Sequence, residues 1–220
     1  MKLGAEQFFD LERRLIGGGH DADLDSFATI RERLKTGTRF DADEFARQAA
    51  YVVLAGGFSQ KTAKKIHAGI MDALRAGGTA DDLLKLFNNK NKINAIAKLW
   101  ENRARYRDGY YELAGAPLDE KLKYLSSLPH IGKITANHLA RNLGENIVKY
   151  DIWIQRLAAA GTEDGPLIDN GNLRPEVKKR CDEMFAELES ATGLPRGYID
   201  VVLWKSCQVG LLELAGARSI

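Results

Sequence analysis

Cysteine is scarce in this chain, with only Cys181 and Cys207 among 220 residues. Two thiols exclude a four-cysteine iron–sulfur cluster or zinc site built within one chain. A chain of this length can bury a core without a disulfide, so both are expected as reduced thiols. Histidine is scarce as well: His20, His67, His130 and His138 show no metal-ligand spacing, and neither a metal nor a cofactor is expected. No apolar run approaches the length needed to cross a bilayer, so no membrane partner is expected. The opening MKLGAEQFFDLERR is charged, unlike a secretory leader, which points to a cytoplasmic protein. Neither sign of charge dominates, with 32 basic residues against 30 acidic ones and a net charge of +2. A polyanion binder with this balance must gather its positive charge on one face.

Alternating strand patterns are also missing, and the periodicity is helical nearly throughout. The fold class is therefore read as all-α. GAEQFFDLERRLI sets Phe8, Leu11, Leu15 and Ile16 on one face, stopped by the glycines at 17–19. Asp41, Ser59 and Thr79 stand where N-caps are expected for the three helices that follow. A long polar helix is expected from Lys90 to Leu113, and another from Ile134 to Leu143, closed by Gly144. Thr162–Pro175 reads as a loop, and two helices end the chain, near Pro175–Thr192 and Tyr198–Leu214.

One stretch carries more information than the rest. Leu128-Pro129-His130-Ile131-Gly132-Lys133 lies between two amphipathic helices. A tight turn there presents the unpaired first-turn amides of the second helix, and the helix dipole adds partial positive charge. Phosphate satisfies both, without regard to base identity. Gly132 permits close approach and unusual φ, while Ile131 packs beneath the turn. Charge collects nearby: six basic residues against two acidic ones from Lys121 to Arg156, and six against one from Lys90 to Arg107. An ordinary corner in a helical bundle fits the same residues. Asp151, nineteen positions after Gly132, reads either as a plain N-cap or as a carboxylate for chemistry.

The run Leu-Pro-x-Ile-Gly-x-x-Thr-Ala, followed by Tyr150-Asp151-Ile152-Trp153-Ile154-Gln155-Arg156, resembles the helix-hairpin-helix DNA glycosylase superfamily, in the branch without an iron–sulfur cluster. The resemblance implies two helical subdomains with an active-site cleft between them. Residues 1–45 with 145–220 would form the flanking domain, and residues 46–144 a helical barrel carrying the hairpin at 128–133. It implies a DNA-repair enzyme, acting as a nucleoid-associated monomer on double-stranded DNA that contains a damaged or modified base. Asp151 would be catalytic. His130, Ile131, Gly132, Lys133 and Thr135 would contact DNA, and Gln60 or Phe58 would fill the gap left by an extruded base.

The sequence departs from the family's pattern at two places. His130 stands where the first hairpin glycine is usual. Ile134 stands where the branch that also cleaves the backbone has lysine, which favours simple hydrolysis of the N-glycosidic bond. If a lysine forms a Schiff base, Lys133 and Lys149 are the nearest. Tyr106, Tyr110, Tyr111, Tyr150 and Trp153 suit base stacking or a core, and Trp204-Lys205 is assigned no chemistry. The alternatives are a bifunctional glycosylase/lyase, a non-catalytic hairpin protein that binds DNA, and an unrelated helical protein.

Overall fold

The computed structural model describes residues 3–56, 59–160 and 173–212. Among the described residues every regular element is a helix, and an isolated bridge joins Ala22 to Ser26. No helix among them is long and apolar enough to cross a membrane. The chain divides into two compact units, Met1–Thr36 with Glu145–Ile220, and Gly37–Gly144.

The first unit begins with α1 (Ala5–Gly17) and α2 (Phe27–Thr36). On α1, Phe8, Leu11 and Leu15 are buried. Ile16 is not with them and is 53% exposed. It follows Leu15 directly, and neighbours on a helix do not share a face.

The second unit is arranged around α3 (Ala42–Ala55), which packs on α4 (Gln60–Arg75), α6 (Lys90–Glu101), α7 (Arg103–Glu112) and α9 (Lys133–Asn142). Helices α5 (Ala80–Leu86) and α8 (Leu118–Ser126) complete it. The expected domain boundary at residue 45 falls inside α3; the division in the structure lies before Gly37. From Gln48 to Leu54 every side chain of α3 is buried, as a central helix requires. The N-caps form as the sequence suggests: Asp41 accepts from the Glu44 amide at 2.8 Å, Ser59 from Thr62 at 3.3 Å and Thr79 from Asp82 at 3.4 Å. The single helix expected over 90–113 is broken at Asn102, which ends α6 and begins α7. Its side-chain amide donates back to the Lys98 carbonyl at 3.0 Å, a local bond that competes with helix continuation.

Two buried polar groups tie this unit together. The Lys92 ammonium donates to the carbonyls of Leu54 at 3.3 Å and Gly56 at 2.5 Å, closing the C-terminal end of α3, where a cation is favoured. Burial lowers its pKa. The His67 ring bonds the Arg47 carbonyl at 2.9 Å through Nε2, and burial lowers its pKa to about 4.

The chain then returns to the first unit through α10 (Ile152–Ala158), α11 (Pro175–Thr192) and α12 (Arg196–Gln208). α12 is buried continuously from Gly197 to Cys207 and packs against α1, α2, α10 and α11. Its partners in the core include Phe8, Phe27, Ile154 and Phe185. Cys181 and Cys207 are free and buried, and desolvation pushes both thiols up to about 12, so they are inert at neutral pH. The stretch expected as a loop over 162–175 lies mostly outside the described residues.

Candidate nucleic-acid interface and active-site residues

The turn between α8 and α9 is built from short local bonds. The Ser127 amide donates to Tyr124 at 2.9 Å, Leu128 to Leu125 at 3.2 Å, and Ile131 to Leu128 at 3.1 Å. Leu128 and Ile131 are buried, at 4% exposure each, and pin the turn to the core of its unit. His130 carries the bend, with φ of +60°. It adopts the left-handed conformation that glycine takes most easily, and histidine is one of the side chains that tolerates it. The unusual φ expected at Gly132 is absent, because Gly132 is extended, with φ −92° and ψ −179°.

Gly132 instead keeps the start of α9 bare. Its own amide donates to Thr135 Oγ1 at 2.8 Å, and that hydroxyl donates to the Gly132 carbonyl at 3.0 Å. No side chain caps the helix, so its first-turn amides are left for an outside acceptor. His130, Gly132 and Lys133 are exposed, Ile134 and Thr135 are half-buried, and Ile131 offers only its backbone.

Asp151 lies in the other unit, as the N-cap of α10. Its two oxygens have different tasks. Oδ1 accepts from the amides of Trp153 at 3.0 Å and Ile154 at 3.2 Å. Oδ2 pairs with Lys149 Nζ at 3.1 Å, and the two side chains are 12% and 15% exposed. The same ammonium lies 5.2 Å from the centre of the Trp204 ring, and Lys205 lies 5.7 Å from it. Lys205 Nζ in turn donates to Gln208 at 3.0 Å. A carboxylate, two ammonium groups and an indole therefore share one locality. The sequence reading assigned Trp204 and Lys205 no chemistry, since an apolar helix pattern does not reveal which ring lies under a lysine from another segment.

The fold that carries these residues is shared with solved structures. The chain superposes on the crystal structure of Methanocaldococcus jannaschii 8-oxoguanine DNA glycosylase with a TM-score of 0.66 and 14% identity, covering 94% of each chain. It also superposes on the 8-oxoguanine glycosylase/lyase of the same organism in complex with a 15mer DNA containing 8-oxoguanine. There the TM-score is 0.66 and the identity 15%, over 95% of this chain and 99% of that one. The chain has the 8-oxoguanine DNA glycosylase fold. The all-α fold class read from the helical periodicity is thereby shown. No family model matches the sequence. A stretch of 90 residues is 37% identical to the Holliday junction branch migration complex subunit RuvA of Geobacter metallireducens, over 37% of this chain. The chain spans about 45% of the length of that relative.

Within this 8-oxoguanine glycosylase fold the remaining expected residues take different places. Gln60 is buried at the first turn of α4, at 9% exposure, and Phe58 lies outside the described residues. Tyr106, Tyr110 and Tyr150 are core residues by burial, and Trp153 is half-buried. Tyr106 also lines a cavity of about 700 Å³ with Arg105, Gly109, Tyr124 and Pro129. Tyr111 accepts from the Phe40 amide at 2.8 Å, a structural use of its hydroxyl. No group of three or more potential metal ligands occurs among the described residues.

Proposed function

We propose that this chain is a DNA N-glycosylase that extrudes a damaged or modified base from duplex DNA and hydrolyses its N-glycosidic bond. A base inside a duplex is reached only by taking its nucleotide out of the stack. The α8–α9 turn supports a phosphate grip: exposed His130, Gly132 and Lys133 surround a helix start with unpaired amides. Breaking the glycosidic bond places positive charge on the sugar. A fixed carboxylate stabilises that charge and orients or deprotonates the attacking water.

The observation that carries this reading is the divided use of Asp151. A residue that only capped α10 would have no need of a lysine at its second oxygen, 3.1 Å away and shielded from solvent. Ile134 stands where the lyase branch has its lysine, so the monofunctional reaction is the first reading. Oxidised purines are the substrates to try first, because the structural neighbours are 8-oxoguanine enzymes.

The test uses duplexes that each carry one defined modified base, assayed for base release under single-turnover conditions. Asp151→Asn is a clean variant, because asparagine caps a helix as well as aspartate does. The expected result is unchanged DNA affinity with base release reduced roughly 100-fold or more. An Asn variant that releases base at the normal rate removes Asp151 from the mechanism. Lys149 beside Asp151 favours one second reading, a glycosylase/lyase that forms a Schiff base. Borohydride trapping on abasic DNA decides between the two: a covalent adduct establishes the lyase.

A further inference from the structure

We propose that Tyr150 is a positioning residue, whose left-handed backbone, clamped from three directions, sets Lys149 against Asp151. This rests on the catalytic assignment of Asp151 above. Tyr150 has φ of +53°, a conformation that a bulky side chain adopts only when its surroundings hold it there. The surroundings do so. Its hydroxyl donates to Asp182 on α11. Its carbonyl accepts from Gln155 Nε2 at 2.8 Å, and Gln155 is itself 2% exposed. Lys178 Nζ covers the ring at 5.1 Å and bonds Asp182 Oδ2 at 2.7 Å, which fixes the acceptor that the tyrosine uses.

A turn needed only to start α10 would be served by glycine or asparagine, which enter the left-handed region at little cost. A tyrosine there adds a side-chain bond to α11, beside the backbone-carbonyl bond to α10 that any residue would accept. The turn falls between the two residues that matter. Lys149 precedes it and Asp151 follows it, and their charged ends meet at 3.1 Å. The cap fixes the carboxylate of Asp151 through Oδ1, and the clamp fixes where Lys149 stands against its second oxygen.

The experiment compares Tyr150→Phe, Asp182→Ala and Asp151→Asn with the wild type. Removing the hydroxyl keeps the ring in place and releases one arm of the clamp. Base release at saturating enzyme is expected to fall about tenfold or more in the first two variants, with the Kd for DNA within about twofold of the wild type. The double variant Tyr150→Phe/Asp182→Ala is expected to be no slower than the slower single one, because both remove the same bond. A crystal structure of Tyr150→Phe supplies a readout that needs no activity: the Lys149–Asp151 pair is expected to open beyond about 4 Å.

A Tyr150→Phe protein that keeps the pair closed and reacts at the normal rate overturns the proposal. So does one whose melting temperature, DNA affinity and rate all fall together, since that marks a packing role alone. If Asp151→Asn is fully active, the functional reading fails first. If Asp151→Asn is inactive and Tyr150→Phe is normal, only the positioning role fails.

Discussion

Two residues other than glycine have positive φ among the described residues, and they are used in opposite ways. His130 is exposed on the turn before α9, and its bend leaves a helix start open to solvent. Tyr150 is 7% exposed before α10, and its bend is tied to Asp182 and Gln155. In the first case an awkward backbone leaves donors without acceptors, as suits a surface that receives an outside anion. In the second it is surrounded by acceptors and donors of the protein itself, as suits a group that must not move. The same torsion thus leaves a helix start uncapped in one unit and sits in a web of hydrogen bonds in the other, and what differs is how many of its neighbours are already satisfied.

The units that contain these turns also differ in how they hold protons, and acid should separate them. In the second unit His67 is buried with its pKa lowered to about 4, so folding requires the neutral ring. The unfolded chain, near 6.5, binds the proton first. Stability is therefore full above pH 6.5 and declines as the pH falls from there toward 4, by an amount of order 3 kcal/mol. In the first unit the lowered groups are carboxylates: Lys178 and Tyr150 bonds hold Asp182 down against burial, and Arg196 does the same for Glu189. Their contribution is present above about pH 4 and is lost only below it, as the pH falls through their folded values. Chemical denaturation from pH 7 to 4 should show the first decline, and His67→Gln, which keeps a donor for the Arg47 carbonyl, should flatten it. A variant with the wild-type slope would assign that decline to other groups.

Much of this was legible in the sequence. Asp41, Ser59 and Thr79 announced their helix starts because an N-cap is a local bond between residues three apart. The all-helical class followed from periodicity in the same way. The nearness of Lys149 to Asp151 was legible, although the two meet across a left-handed bend and not along an extended segment. The left-handed bend at Tyr150 was not, because its causes are Asp182 and Gln155, and Asp182 is thirty-two positions away. Trp204 was missed for the same reason: its relation to Lys149 exists only once α12 has packed. The break at Asn102 escaped because no glycine or proline marks it. Ile16 was misplaced by extending an apolar face one residue too far.

A second prediction sharpens the contrast on the capture side. Gly132 is extended and a Cβ there meets only Thr135 Oγ1, at 3.7 Å, so larger residues fit. Gly132→Asp would give α9 a good side-chain cap and consume the donors that phosphate would use. Stability should change by no more than a few tenths of a kcal/mol, whereas affinity for DNA should fall about tenfold or more. Steeply salt-dependent binding in the wild type and a shallower slope in the variant would accompany this, since fewer phosphates are held. Equal affinity in the two proteins would mean that the start of α9 is no grip.

The smallest effect, at His130, belongs to the most direct comparison of the two turns. Placing glycine at either residue removes the cost of the left-handed backbone, of order 1 kcal/mol, but makes the unfolded chain freer by a similar amount. At His130 little else changes, since the ring is exposed, so His130→Gly should alter stability by less than about 1 kcal/mol, in the stabilising direction if either. At Tyr150 the same change also removes a buried ring and its bond to Asp182, which costs roughly 3–5 kcal/mol by comparison with other large-to-small core substitutions. Urea denaturation of the two variants measures both. If the His130 variant proved as damaged as the Tyr150 one, the exposed turn would be clamped as firmly as the buried one, and the distinction between capture and rigidity would have no energetic basis.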